Sequence, residues 1–450
     1  MKTKTQFVCQ ECGYESGQWL GKCPECGSWN SLKEFRISSS AKATADKQKS
    51  LIPTDLTPRK LQEITSTEKT RIKTGFSEMD TVLGGGIVLG SVILLAGDPG
   101  IGKSTLLLQT VMNISNGRGV LQYAPAKTLY ISGEESVEQI KMRAERITGE
   151  IQNDNLLLLT LSDTDAIEEL IAEIKPGLVI IDSIQTMQSE RLEGMSGAVG
   201  QIRYATSVFV STAKALHIPI ILVGHVTKEG MVAGPMVLSH MVDTVLFLEG
   251  EKFTSTRILR SLKNRFGPVD EVGIFLMQGE GMVEIKNPEQ IFLTEKTENV
   301  PGSAYIVILE GTRPFLIEIQ ALVVYSKLAM PRRVASGFDY KRLELLLAVL
   351  QKHCRLPVDT MDVFVNIAGG VKVEERSADL GICLAVYSSL KNMTLGKAVG
   401  IAEVGLLGEL RNVPSLDKRV KEAQKLGFTQ IITAKEYKLL AGVFNGLGKG

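Results

Sequence analysis

The run Gly97-Asp98-Pro99-Gly100-Ile101-Gly102-Lys103-Ser104-Thr105 fits the spacing G-x-x-x-x-G-K-[ST]. Glycines at the fixed positions let the main chain curl until several N–H groups point at one anion. Lys103 would reach the β- and γ-phosphates of ATP, and Ser104 would offer its hydroxyl to a magnesium ion. The apolar run 91–96 reads as a buried strand entering the loop, and 105–114 as the helix leaving it. The N-terminus of that helix would also face the phosphates. A glycine-rich turn that binds nothing has no need of the full pattern at a strand-to-helix junction.

Hydrolysis of a bound triphosphate asks for acids as well. Asp182 closes the apolar run 178–182 and is followed by Ser183. An acid there would hold magnesium through water. A water must also be oriented or deprotonated. Glu134 and Glu135 follow the strand expected to end at Ser132; Glu134 is the chosen base and Glu135 the close alternative. Acids also favour the first turn of a helix, which Ser132 could cap. His225 follows the apolar strand 219–224. It could sense the γ-phosphate there, although a histidine after a strand is as often structural.

A second kind of chemistry lies near the N-terminus. Cys9 and Cys12 form one C-x-x-C pair, Cys23 and Cys26 another, and Gly13 and Gly27 follow them. Two such knuckles suit tetrahedral thiolate coordination of zinc, and iron takes the same ligands. A module this small lacks the apolar core to fold alone, so metal would supply folding energy. A redox dithiol or a pair of disulfides is the alternative. Trp19 and Trp29 are expected to pack beside the metal.

The elements that must position these groups alternate along the middle of the chain. Strands are expected at 127–132, 156–160, 178–182, 219–224 and 244–248, with helices at 137–147, 166–174 and 199–216. Uninterrupted apolar strands between helices mean a parallel sheet covered on both faces, with its ligand at the carboxyl ends of the strands. The stretch 37–60 is polar and reads as a tether. A further α/β unit is expected after residue 300, with strands at 304–309, 315–324 and 363–368 and helices at 340–351, 377–389 and 416–426. The expected domains are therefore a four-cysteine zinc module at 1–35, a linker at 36–70, an ATPase domain at 71–285 and a second α/β domain at 286–450.

The chain has 450 residues, with 51 Lys and Arg against 50 Asp and Glu and a net charge of +1. That balance makes any nucleic-acid surface local. No apolar leader and no run long enough to span a bilayer is apparent, so a cytoplasmic protein without membrane contact is expected. A reducing compartment also favours metal over disulfide for the clustered cysteines.

Thr74-Gly75-Phe76-Ser77-Glu78-Met79-Asp80, Leu83-Gly84-Gly85-Gly86 and the phosphate loop resemble the RecA-type ATPase superfamily. Adding Ser132-Gly133-Glu134-Glu135-Ser136, the run Lys263-Asn264-Arg265-Phe266-Gly267 and the cysteine module, the chain resembles the bacterial RadA/Sms family of DNA repair and recombination proteins over nearly its full length. The resemblance implies a hexameric ring that hydrolyses ATP, binds single-stranded DNA and drives branch migration of recombination intermediates with RecA. It also implies that the zinc module supports work with RecA. Lys263 and Arg265 match that family's run; two residues apart on a strand, they project to one face. They could reach the triphosphate of a neighbouring subunit, or DNA phosphates. Loops 190–200 and 227–240, the latter with Lys228, are candidates for DNA contact. Met236 and Ser239 depart from the basic and acidic residues usual in the family.

The C-terminal unit resembles the proteolytic domain of Lon, on 369–380 and 405–426. A Ser–Lys dyad would be its machinery. Ser377 falls at the serine position and Asp417 at the lysine position, with Lys418 beside it. A carboxylate replaces an amine poorly, so a catalytically inactive scaffold is expected. Lys327, Arg332, Arg333, Lys341 and Arg342 crowd its first half as candidates for the DNA backbone. A KaiC-like regulatory ATPase and an active ATP-dependent protease are the competing readings.

Overall fold

A computed structural model describes residues 5–9, 15–24, 27, 29–36, 71–117, 127–149, 154–225, 238–250, 255–285, 300–368 and 372–447. The chain divides into two compact units, Met1–Glu284 and Ile285–Gly450.

The first unit opens with a small antiparallel sheet of β1 (Thr5–Cys9), β2 (Glu15–Ser16) and β3 (Leu32–Arg36), in the order β2-β1-β3. Cys9 stands opposite Leu32, and both are buried with Cys23. Further on, β4 (Arg71–Ile72) and β5 (Ile87–Val88) pair around the short helix α1 (Ser77–Val82).

The main sheet takes β6 (Val92–Gly97), β7 (Thr128–Ser132), β8 (Leu156–Thr160), β9 (Leu178–Asp182), β10 (Ile220–His225) and β11 (Thr244–Glu249) in parallel. An antiparallel extension of β12 (Thr256–Asn264), β13 (Val272–Gln278) and β14 (Gly281–Glu284) brings the sheet to nine strands among the described residues. The order is β14-β13-β12-β11-β6-β10-β9-β7-β8. Between the parallel strands run α2 (Lys103–Ser115), α3 (Val137–Thr148), α4 (Thr164–Ile174) and α5 (Val199–Leu216).

Strand β6 explains why its sequence is apolar without alternation. Ile93 and Leu95 join Met79 of α1 and Leu106 and Val111 of α2 on one face. Val92 joins Ile167 and Ile171 of α4 and Phe209 of α5 on the other. Every β6 residue is buried, as a central strand covered on both faces requires. This is the parallel α/β core covered on both faces that the alternation of elements predicts; the antiparallel extension lies beyond the expected strands.

The second unit has a six-stranded sheet ordered β17-β18-β16-β15-β19-β22, from β15 (Ser303–Glu310), β16 (Arg313–Tyr325), β17 (Arg333–Ser336), β18 (Met361–Ile367), β19 (Ala398–Ile401) and β22 (Gln430–Thr433). A hairpin of β20 (Glu403–Val404) and β21 (Leu410–Arg411) follows β19. Helices Tyr340–Cys354, Asp379–Lys391, Leu416–Lys425 and Leu440–Leu447 complete it. Ser377, expected to open a helix, lies in a short 3-10 turn, Arg376–Ala378, just before one.

Candidate functional site

The loop after β6 is built on left-handed glycines. Gly97, Gly100 and Gly102 have φ of 154°, 77° and 111°. A Cβ on Gly97 would come within 2.3 Å of Leu248 O, so only glycine fits there. Gly102 caps α2 without a side-chain acceptor, leaving the first-turn N–H groups to an anion. Helix α2 starts two residues before the expected position, which puts Lys103 and Ser104 in its first turn.

Lys103 is 3% exposed. Its ammonium donates to Gly97 O at 2.8 Å and Asp98 O at 3.0 Å, and lies 3.2 Å from His225 Nδ1. Burial pulls its pKa below the ordinary lysine value, while Asp182, Asp98 and Glu134 oppose that shift. Two main-chain carbonyls are a weak substitute for phosphate, so this cradle fits an anionic occupant.

Sheet register gathers the other groups. His225 pairs with Gly97, and Asp182 pairs with Ser132, all at carboxyl ends of parallel strands. Tyr130, two residues earlier on β7, donates its hydroxyl to Asp182 Oδ2 at 2.5 Å. Burial, then the Asp182 charge, holds this phenol well above its ordinary pKa, with the Ser104 hydroxyl alongside. Tyr130 has no distinguishing mark in the sequence, because an aromatic in an apolar strand reads as core. Glu134 Oε1 accepts Ser183 Oγ at 2.5 Å and faces His225 Nε2 at 3.4 Å. Lys103 can only donate, so His225 Nδ1 accepts and Nε2 carries the hydrogen towards Glu134. Glu135 turns away into an ion pair with Arg143 of α3. The geometry thus sets Glu134 beside the phosphate loop and withdraws Glu135 from it.

The cap of α3 is not Ser132. Ser136 caps it, in a capping box with Gln139, because the helix starts at Val137. The Ser132 hydroxyl instead accepts the N–H groups of Glu134 and Glu135 at 3.3 and 2.8 Å.

Lys263 and Arg265 lie at the other end of the sheet. Asn264 pairs with Thr244, and Thr244 with Ile93, at the start of β6. The Arg265 N–H bonds Asp243 O, and the Asp243 N–H bonds Val92 O, five residues before Gly97 or roughly 17 Å along the strand. These cations therefore face away from their own phosphate loop. Lys263 Nζ donates to Ser239 O at 2.6 Å and Val242 O at 2.8 Å, and Arg265 pairs with Asp243 at 3.2 Å. Burial, then Arg265, lowers the Lys263 pKa.

Loop 190–200 is pinned by buried Gln201, whose amide binds Ser189 N and O, Leu192 O and Gly194 O. Arg191 pairs with Asp165 at 3.4 Å. The exposed acids Glu190 and Glu193 on this loop disfavour a DNA backbone. Of loop 227–240, Lys228 and Met236 lie outside the described residues, as do Cys12 and Cys26. Cys9 and Cys23 are both 1% exposed and share one small cluster. The Gly27 N–H bonds to Cys23 O at 2.9 Å, closing the second knuckle. Two buried thiols in so small a core fit a metal.

In the second unit the lysine position of a dyad is taken neither by Asp417 nor by Lys418. Asp417 is 83% exposed and paired with Lys435. The residue facing Ser377 is Arg419, fully buried, with Nη1 3.1 Å from Ser377 Oγ. Arg419 also donates to Val307 O, Pro414 O and Glu375. Ser377 donates to Glu375 at 3.0 Å. A guanidinium cannot accept a proton at any working pH, so Arg419 cannot act as the base that the lysine of a Ser–Lys dyad would be. The residue set against the serine is thus Arg419 and not Asp417, and an inactive scaffold is a proposal that rests on that contact. A dense basic run, Lys418 to Lys421, hides it in the sequence.

Three of the five basic residues considered for DNA are paired within the unit, although the Arg332 side chain is 60% exposed. Arg332 grips Asp362, Arg333 turns to the carbonyls of Met361 and Val358, and Arg342 pairs with buried Asp379. Lys327 and Lys341 are exposed.

Residues 57–231 match the AAA domain family and residues 7–34 the rubredoxin metal binding domain. The DNA repair protein RadA of Halalkalibacterium halodurans is 46% identical over 96% of this chain and 92% of its own length. The Bacillus subtilis protein of that name gives the same figures, and that of Listeria monocytogenes is 44% identical over 96% and 93%. Among solved structures, an ATPase domain aligns with a TM-score of 0.42 at 16% identity, covering 48% of this chain and 92% of that one. Among the described residues, no helix is long and apolar enough to cross a membrane.

Proposed function

Because the chain belongs to the RadA family of DNA repair proteins, we propose that it is an ATP-driven motor of homologous recombination, working on DNA in the cytoplasm. In this reading a homo-hexameric ring binds single-stranded DNA and drives branch migration of recombination intermediates together with RecA. The observation that carries it is the convergence of Lys103, Glu134, Asp182 and His225 at one strand end, with Arg265 at the opposite end of the same sheet.

The main-chain N–H groups from Gly97 to Thr105 cradle the phosphates, and Lys103 leaves its carbonyls for the β- and γ-oxygens. Ser104 directly and Asp182 through water would hold magnesium, which would supply charge neutralisation at the phosphate oxygens. Glu134 orients the attacking water and takes its proton. The Ser183 hydroxyl, 2.5 Å away, fixes the rotamer of that acid. Arg265, roughly 17 Å from its own loop by strand rise, serves a triphosphate bound by the next subunit. Cys9, Cys12, Cys23 and Cys26 would hold zinc in a structural module.

The deciding experiment is the ATP hydrolysis rate of the purified full chain, with and without single-stranded DNA, across a salt series. DNA should raise turnover, with the stimulation falling steeply as salt rises. Turnover indifferent to DNA at every ionic strength would favour a regulatory ATPase that acts on protein partners.

A further inference from the structure

Asp243 is a buried acid that the hydrolytic groups around the phosphate loop do not use. It immediately precedes β11 and is 3% exposed. Its Oδ2 accepts the N–H of Val92, the first residue of β6, at 3.0 Å and Lys214 at 2.5 Å. Its Oδ1 accepts Arg265 Nη1 at 3.2 Å, and its main-chain oxygen accepts the Arg265 N–H at 3.2 Å. One residue thus grips Arg265 at both backbone and guanidinium, while the arginine side chain stays 56% exposed.

Lys263 does something different. Its ammonium bonds the carbonyls of Ser239 and Val242, the turn that leads into Asp243. The two cations of the run 263–267 are therefore not equivalent. Lys263 staples the turn that carries Asp243, and Arg265 presents its fork outwards. A guanidinium has five N–H donors in a fixed plane, so anchoring one of them dictates where the rest point.

We propose that Asp243 is a positioning residue that aims Arg265 at the triphosphate of a neighbouring copy, with Lys263 holding the turn from which it acts. This rests on the reading of Arg265 as a group serving the next subunit, and the test separates the two claims.

The experiment measures kcat for ATP and the Kd of a fluorescent ATP analogue on full-length Arg265→Ala, Asp243→Asn, Asp243→Glu and the double variant Asp243→Asn/Arg265→Ala. Removing Arg265 should lower kcat by about a hundredfold or more. Asp243→Asn should lower kcat at least about tenfold with Kd within about twofold, and the double variant should match Arg265→Ala, because residues acting as one unit are not additive. Asp243→Glu, which keeps the charge on a longer stem, should lose less than Asn does. Mixing Asp243→Asn chains with Lys103→Ala chains should restore turnover, since the latter lend a well-aimed arginine to an intact phosphate site; a misfolded chain could not be rescued so. Unchanged kcat in Arg265→Ala would overturn the reading of Arg265. A fall in Arg265→Ala accompanied by wild-type turnover in Asp243→Asn, by multiplying effects in the double variant, or by equal losses for Glu and Asn, would overturn the role of Asp243.

Discussion

Lys103 Nζ lies 3.2 Å from His225 Nδ1, across the gap between two neighbouring parallel strand ends. The contact suits a tautomer in which Nδ1 accepts from the ammonium and the Nε2 hydrogen lies on the side of Glu134. One ring therefore touches both the group that meets phosphate and the acid that meets water. When a triphosphate draws Lys103 away, His225 loses a donor on one side and keeps its hold on Glu134 on the other. His225→Ala should lower kcat by about tenfold while ATP binds within about twofold of the native chain, as expected for loss of one positioning contact. Single-turnover hydrolysis with a parallel binding titration checks this, and an equal loss in both would mean that His225 merely supports the fold of the loop.

The sequence leaves two adjacent acids as candidate bases, and the ion pair between Glu135 and Arg143 separates them. Glu134→Gln should reduce hydrolysis by about a hundredfold or more, the scale of a lost general base, without weakening ATP binding. Glu135→Gln breaks a partly exposed ion pair and should leave turnover within about threefold. The opposite ranking in a steady-state assay would transfer the role to Glu135.

What can be read in advance follows from how local each signal is. Residues 97–105 declare themselves because a curled backbone, a lysine and a hydroxyl must be consecutive. Asp182 is legible because an acid ending an apolar strand is conspicuous. Tyr130 is not, since only the pairing of β7 with β9 brings it to Asp182. Asp243 is equally silent: its meaning comes from Arg265, Lys214 and Val92, distant in sequence and joined by the sheet order. The cap of α3 falls four residues beyond the expected one because Ser132 and Ser136 both precede acids, and only the helix start tells them apart. In the second unit, the resemblance to Lon points to Asp417, whereas the side chain that turns inward is Arg419.

Arg419 should matter for stability and not for peptide cleavage. It is fully buried and supplies hydrogen bonds to Val307 O, Pro414 O, Ser377 and Glu375. Arg419→Ala leaves those acceptors unpaired and opens a cavity, a loss of about 3 kcal/mol or more, or roughly 10 °C in the melting transition of that unit. Ser377→Ala removes one hydroxyl from the same cluster and should cost about 1 kcal/mol. Calorimetry gives both values. Casein should survive incubation with the native chain and with either variant; cleavage that disappears in Ser377→Ala would restore the protease reading.

Asp362 provides a pH test confined to the second unit. Arg332 donates to it three times, from its backbone N–H at 2.7 Å and from Nε and Nη2 at 3.0 and 2.8 Å. That backbone bond first, then the Arg332 side chain and Ser326, brings the carboxyl from 3.8 down to about 2. A pKa depressed by folding means the native state holds the proton less tightly than the unfolded chain. The stabilisation is therefore complete above the ordinary value and disappears as pH falls through about 2. Asp362→Asn keeps the shape and cannot ionise, so it should destabilise the unit at about pH 6 and converge with the native chain near pH 2. Denaturant unfolding at several pH values across that window checks the slope. A gap between the two proteins that stays constant down to the acid end would show that packing against Phe364, whose ring lies 5.5 Å from the Arg332 guanidinium, and not the carboxylate charge, holds Arg332 in place.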